Sequence, residues 1–406
     1  MNWQIAYTDR PEKIKNYLSA KEIVDSGIQI MPASVPGCFQ ADLIKNCIEP
    51  DFYYSSNILK NYAYEKHHVW YFSEFDAKDG DYLHFCGIDT VADIIINGKK
   101  VMSVNNMFLP YNVSENISEG VNEVIVHIIP AVSAASEYPD FPDYCFAYKY
   151  NWESLYIRKA PHMYGWDILP RIITSGIWKP VVIKNKYSYE IDDIHIYTKE
   201  LSQNHDKAVV SVNAVLPCSF CSAYKVTVSD GLNEFTSEGK VIGENINTEI
   251  DIVNPRLWWP KNYGEQFLYK ITVKAFGNDG EPIVEKQLYT GIRTVSLVFE
   301  LQSSKKPDGD FCFIINGKRV FLNGTNWVPL DAMHIEDNIR VPKAIALMND
   351  LNCNIVRCWG GNVYEEDEFF ELCDKSGILV WQDFSMACAV YPRDSEFSEN
   401  LRLEAE

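Results

Sequence analysis

NIVRCWGGNVYEEDEFFELCDKSGILVWQDF, residues 354–384, alternates two kinds of segment. CNIVRCW (353–359) and ILVWQDF (378–384) are short, continuous apolar runs, the pattern of strands buried on both faces. Between them EEDEFFELCDKSG (365–377) opens on carboxylates, repeats its apolar residues at helical spacing and closes on a glycine, which predicts a helix. Strand, helix, strand is the signature of a parallel sheet built from βα units. Upstream, VFLNGTNW (320–327) predicts another strand and RVPKAIALMNDLN (340–352) another helix, so three such units fit before Glu406. A closed parallel barrel takes eight strands and roughly 250 residues, far more than the 90 that follow Asn316. A three-stranded module would leave its sheet edges and one face uncovered, so the expectation is that these units open a longer protein.

The acids of this stretch invite a catalytic reading, but their spacing argues against it. Glu365, Glu366, Asp367 and Glu368 stand at the start of the predicted helix, where carboxylates favour the positive end of the helix dipole. Consecutive residues point around a helix, so these four are expected to be a solvated helix start and not a pair with divided proton affinities. In βα units the chemistry sits at the C-terminal ends of the strands. That rule selects Asn326 and Trp327, then Arg357 to Gly361, then Trp381 to Asp383. Amides, indole faces, a carboxylate and a planar guanidinium suit a carbohydrate, whose apolar face stacks on indole and whose hydroxyls take bidentate partners. The plainer reading of Trp359 and Trp381 is that they fill core.

From about residue 65 to 300 the pattern is different. HVWYFSEF, DYLHFCG, VADIIINGKKV, NEVIVHII and KPVVIK are β-rich runs separated by turn residues. Asn97-Gly98 and Asn316-Gly317 each lie between apolar runs and predict tight type I′ hairpins, in which both central residues need positive φ. Two all-β units are expected, divided near residue 186. Within the first, RKAPHMYGWDILP (158–170) extends the aromatic segment YCFAYKYNW (144–152) into a long connection carrying Arg158, Lys159, His162, Trp166 and Asp167. Connections of that length are commonly functional, and this one is expected to reach another domain's site.

Composition narrows the classes further. With 37 basic and 56 acidic side chains the net charge is -19, which argues against a nucleic-acid partner, since phosphate binding needs a basic face. Apolar content of 47% and charged content of 23% are those of a folded protein. No apolar run reaches the length of a membrane span, and MNWQIAYTDRPEK lacks the pattern of a secretory signal, so no membrane partner and a cytoplasmic location are expected. The eleven cysteines are scattered among apolar residues and read as reduced, buried thiols. Cys218 and Cys221 form a lone CxxC with no second pair to complete a metal site. His67, His68 and His334 lack metal-ligand spacing and read as surface or packing residues, while G-x-S-x-G, phosphate-loop and G-x-G-x-x-G motifs are absent. No metal and no cofactor are expected.

Taken in order, these segments resemble the β-mannosidase branch of glycoside hydrolase family 2 over nearly the whole chain. PASVPGCFQADL (32–43), FCGIDTVADIIINGKKV (85–101), NNMFLPY (105–111) and RKAPHMYGWDILP are similar to that family's galactose-binding-like jelly-roll β-sandwich. NPRLWWPKNYGEQFLYKITV (254–273) and GIRTV (291–295) are similar to its immunoglobulin-like β-sandwich. LNGTNWVPLDAM (322–333) and the stretch from Asn354 to Pro392 resemble the first three βα units of its TIM barrel. The family's β-galactosidases and β-glucuronidases usually carry a histidine shortly after the Asn of the first barrel strand, whereas GTNWVP (324–329) has the mannosidase form.

The resemblance implies a jelly roll over 1–185, an immunoglobulin-like sandwich over 186–295 and an incomplete barrel over 296–406. It implies hydrolysis of terminal, non-reducing β-D-mannosyl residues with retention, between two glutamates about 5 Å apart. In the family one of these follows the fourth barrel strand in an Asn-Glu pair and the other follows the seventh, so neither catalytic residue is expected in this chain. What carries over is a sugar-binding wall of Trp166, Asp167, Asn326, Arg357 and Trp359, with Trp381 and Asp383 orienting their neighbours. Two positions depart from the family: Gly-Trp-Asp is commonly followed by Trp-Gly-Pro, where this chain has Ile168, Leu169 and Pro170, and Asn362 replaces a usual third glycine. The alternatives are another family 2 glycosidase, a β-galactosidase or exo-β-glucosaminidase, or a non-catalytic carbohydrate-binding protein. The last helix is expected to fray for want of covering strands.

Overall fold

A computed structural model describes residues 1–138, 152–191, 193–216, 221–302 and 309–406. The aromatic residues 144–151 and Cys218 lie outside this set.

The first unit is a β-sandwich. One layer is an antiparallel sheet of six strands in the spatial order Gln29–Pro32, Gln4–Thr8, His68–Ala77, Gly120–Ile129, Val91–Ile96 and Lys99–Val104. The other has three, Tyr111–Val113, Asp81–Phe85 and Val181–Asn185. Inward-facing residues of both layers, among them Ile5, Tyr71, Phe85, Ile94, Val113 and Val126, form a single core. In the second sandwich a three-stranded sheet of Asp193–Leu201, Lys207–Val215 and Asn245–Val253 faces a four-stranded one. Asn245–Val253 alternates exposed and buried residues along its whole length, the period-2 pattern of a strand with one wet face. Asn97 and Gly98 have φ of 47° and 80°, and Asn316 and Gly317 of 49° and 77°, so both expected hairpin turns are present.

After the ribbon Val295–Glu300, Asp310–Ile315 and Lys318–Val320 the chain switches to parallel pairing. The run 320–327 is therefore not one strand: Val320 ends the ribbon and Gly324–Trp327 begins the parallel sheet as β1. The order then runs α1 (Asp337–Asp350), β2 (Ile355–Cys358), α2 (Asp367–Ser376), β3 (Leu379–Gln382) and α3 (Ser395–Ala405). The three strands pair in parallel in the order β1, β2, β3. Val341, Ile345 and Met348 of α1 and Phe369 and Cys373 of α2 pack on Trp327, Val356 and Cys358. Only that face is covered among the described residues. The expectation of strands buried on both faces is corrected here, since Trp381 in β3 is 48% exposed. No described helix is long and apolar enough to cross a membrane.

Candidate functional site

Parallel pairing without slippage sets Asn326 opposite Arg357 and Arg357 opposite Trp381. Side chains alternate along a strand, so these three share the face turned away from buried Val356 and Cys358. Arg357 Nη2 donates to Asp383 Oδ2 at 2.6 Å and Nη1 reaches Asn326 Oδ1 at 3.4 Å. Asp383 follows β3 and is fixed by its own backbone N–H, which donates to the Cys358 carbonyl at 3.1 Å. The guanidinium is thus held on two sides while the Arg357 side chain stays 40% exposed.

The turn after β2 brings Trp359 over the strand ends. Its backbone N–H donates to the Trp327 carbonyl at 3.1 Å, and the N–H of Asn362 returns to the Trp359 carbonyl at 3.1 Å. Gly361 lies directly beneath the indole, where an added Cβ would come within 2.0 to 2.3 Å of ring atoms, so only glycine fits. Buried Asn362 donates to Glu365 Oε1 at 3.0 Å, and the same oxygen accepts from Trp327 Nε1 at 2.7 Å. Here the reading of four solvated acids needs correction. Glu366, Asp367 and Glu368 are exposed at the start of α2, with Glu366 2.7 Å from Lys179, but Glu365 is half-buried and organises the turn. Burial pushes its carboxyl above the usual range, opposed by the two hydrogen bonds.

The connection 158–170 crosses to this turn. Lys159 is fully buried against Asp89 and donates to the Thr174 carbonyl at 2.9 Å; desolvation lowers its pKa and Asp89 opposes that shift. Arg158 makes a two-point bond to Glu404 of α3, at 2.8 and 2.6 Å, with both side chains buried. The last helix is therefore anchored and not frayed. Next, the His162 N–H donates to the Gly361 carbonyl at 2.9 Å, and His162 Nε2 lies 2.9 Å from His334 Nε2. His334 Nδ1 is 2.6 Å from Asp337, so this histidine packs between domains. Past these anchors Trp166 meets Trp359 edge to face, with ring centroids 4.9 Å apart.

The structure thus joins Asn326, Arg357, Trp381 and Asp383 on one line and sets Trp166 against Trp359, with Asp167 exposed beside Trp166. Such an arrangement can stack a ring on indole and offer planar donors and acceptors to vicinal hydroxyls. Among the described residues no three His, Cys, Asp or Glu side chains are placed to hold a metal ion. Glu365 was the residue missed from sequence, and its only signal was that an indole donor, Trp327, ends the neighbouring strand.

Comparison with known proteins agrees with this architecture. Residues 3–179 match the model of the glycosyl hydrolase 2 galactose-binding domain-like family, and residues 189–293 that of glycosyl hydrolases family 2. A Bos taurus beta-mannosidase is 33% identical over 403 residues, covering 92% of this chain and 45% of that protein. Beta-mannosidase B of Emericella nidulans is 32% identical over 341 residues, covering 80% and 39%. The crystal structure of a Dictyoglomus thermophilum beta-D-mannosidase superposes with a TM-score of 0.83 at 30% identity, over 100% of this chain and 49% of that one. An Amycolatopsis orientalis exo-chitosanase, with a TM-score of 0.69 at 19% identity, shares the fold. The chain spans about half the length of the curated relatives it matches.

Proposed function

The chain belongs to glycoside hydrolase family 2, and from that membership we propose that it is the N-terminal part of a retaining exo-β-mannosidase acting on terminal, non-reducing β-D-mannosyl residues. The observation that carries this reading is the contact of Trp166, from the first sandwich, with Trp359 beside the Arg357 fork. In the proposal Asp167 accepts from a sugar hydroxyl, Asn326 and Arg357 grip vicinal hydroxyls, and the indoles of Trp166 and Trp359 close over the apolar face. Asp383 holds the guanidinium in place, and Trp381 extends the same wall.

The division of the chain belongs to the same proposal: jelly roll over 1–185, immunoglobulin-like sandwich over 186–295, and the first three βα units of a TIM barrel over 296–406. Helices on one face of the parallel sheet, and Asn326, Arg357 and Trp381 side by side on the other, support the barrel reading. A general acid/base and a nucleophile about 5 Å apart carry out the double displacement in such enzymes, and the proposal assigns both to polypeptide outside these 406 residues. A cytoplasmic location and chemistry without a cofactor complete the reading.

The 406-residue chain is accordingly expected to release no p-nitrophenol from p-nitrophenyl β-D-mannoside. Turnover by that chain, abolished by Asp167→Ala or Arg357→Ala, contradicts the assignment of the catalytic carboxylates.

A further inference from the structure

Two histidines that the sugar-binding wall does not use join the connection 158–170 to the loop between β1 and α1. His162 is fully buried in the short helical turn Pro161–Tyr164, and the His334 side chain opposite it is 3% exposed. Their Nε2 atoms are 2.9 Å apart, and His334 Nδ1 is 2.6 Å from Asp337 Oδ2. At the two ends of this chain His162 Nδ1 and Asp337 Oδ1 are buried without a hydrogen-bond partner. The pair is tied to the wall on both sides. The His162 N–H donates to the carbonyl of Gly361, on which the Trp359 indole lies, and the His162 carbonyl accepts from Gly165, next to Trp166.

Proton counting decides what such a pair can do. A carboxylate accepts, so His334 Nδ1 carries one proton for Asp337. A second proton lies between the Nε2 atoms, as their 2.9 Å separation requires. His162 Nδ1 can take a third with that bond intact. A fourth must also go between the Nε2 atoms, where two N–H groups and two like charges would face each other, so it separates the rings.

The surroundings set the order of charging. Burial holds His162 well below its usual range, and His334 and Lys159 add to that shift. Asp337, and Glu365, whose carboxyl senses both Asp337 and His334, favour a first charge on the pair. Other charged groups nearby are already paired: Lys159 with Asp89, Lys179 beside Trp178 with Glu366, and Asp331 with the Tyr53 hydroxyl and the N–H groups of Met333, Ile335 and Glu336. A second charge is therefore taken up more readily once the rings part, and falling pH drives the parting.

We propose that His162 and His334 are a pH-sensitive positioning pair: linked, they hold Trp166 against Trp359, and doubly charged, they part and release it. Its consequence, a loss of sugar affinity in acid, rests on the reading of those indoles as a sugar-binding wall; the movement itself does not.

The test is fluorine NMR of the 406-residue chain carrying fluorotryptophan, with the two resonances assigned by Trp166→Phe and Trp359→Phe and followed from about pH 7 to about pH 4 while circular dichroism monitors folding. Both signals are expected to shift together on acidification. Calorimetric affinity for methyl β-D-mannoside is expected to fall about tenfold over the same range, as when a tenth of the molecules keep the wall closed. His162→Gln keeps a hydrogen bond to His334 but takes up no proton, and is expected to hold both signals in place throughout. His334→Asn suits the φ of 56° there but breaks the link, and is expected to give the acid signals at neutral pH. Unmoved signals in the native chain, a native pH profile in His162→Gln, or native signals in His334→Asn at neutral pH overturns the pair, since a merely structural contact would change stability without this pH step. The expected shifts without mannoside binding at any pH leave the pair standing and overturn the sugar reading.

Discussion

Glu365 stands between Trp327 and Asn362, accepting from both, and its neighbours in sequence tell nothing of this. Glu365→Ala leaves the Trp327 indole N–H and the Asn362 amide without that acceptor, and urea denaturation is expected to show a loss of about 1–3 kcal/mol. Glu365→Gln retains an acceptor oxygen and separates charge from hydrogen bonding. Because burial raises the folded carboxyl above its ordinary value of 4.5, the folded state holds this proton to higher pH than the unfolded chain. The contribution of this residue is then most favourable below pH 4.5 and declines as pH rises through the folded value. Melting curves across that range are expected to show the decline in the native protein and a flatter profile in Glu365→Gln; parallel profiles would refute it. Arg357 and Asn326 were legible because position at a strand end is a property of sequence order. Glu365 was not, because a carboxylate among four acids is told apart only by which one the fold buries.

Among the elements, the connection 158–170 does most to join the units, and its charged residues act as anchors on either side of the site. Arg158 and Glu404 form a buried pair, and removing one partner leaves an uncompensated charge. Arg158→Ala is expected to cost about 3–5 kcal/mol in chemical denaturation and to free α3 from the first sandwich. A change under about 1 kcal/mol would mean that the pair is solvated and the helix docked by other contacts. The length and aromatic content of this segment made its reach readable. Its partner on α3 was not, since Arg158 and Glu404 are separated by most of the chain. The Asn-Gly turns were readable for the opposite reason: the positive φ they need is a local demand. β3 read as a buried strand from its apolar run, yet strand burial depends on what lies opposite, and Leu379, Val380, Trp381 and Gln382 are all half-buried or exposed. Amide hydrogen exchange is expected to be faster in β3 than in the central β2, which pairs on both sides. Equal protection of the two strands would show that β3 is covered in solution.

Across the molecule, two sandwich cores and a one-sided parallel sheet are joined by several contacts, among them the Trp166–Trp359 and Phe108–Tyr364 ring pairs and the Arg158–Glu404 ion pair. The second sandwich steadies the parallel sheet from behind, where Trp258 Nε1 donates to the Asp374 carbonyl at 2.7 Å and the Lys261 N–H to that of Gly377 at 2.9 Å. The first sandwich reaches its front through Trp166 and His162. This division of labour places Trp166 of the first sandwich against Trp359 at a strand end, residues some two hundred positions apart in sequence. The measurement that bears on it most directly is hydrolysis of a panel of p-nitrophenyl β-glycosides by the longest polypeptide encoded with this sequence, with the product anomer followed by NMR. The account predicts fastest release from the β-mannoside, first formation of β-mannose, and a fall of about a hundredfold or more in kcat/KM for Arg357→Ala and for Asp167→Ala. Preference for a β-galactoside or β-glucosaminide, inversion at the anomeric carbon, or undiminished activity in both variants would contradict it.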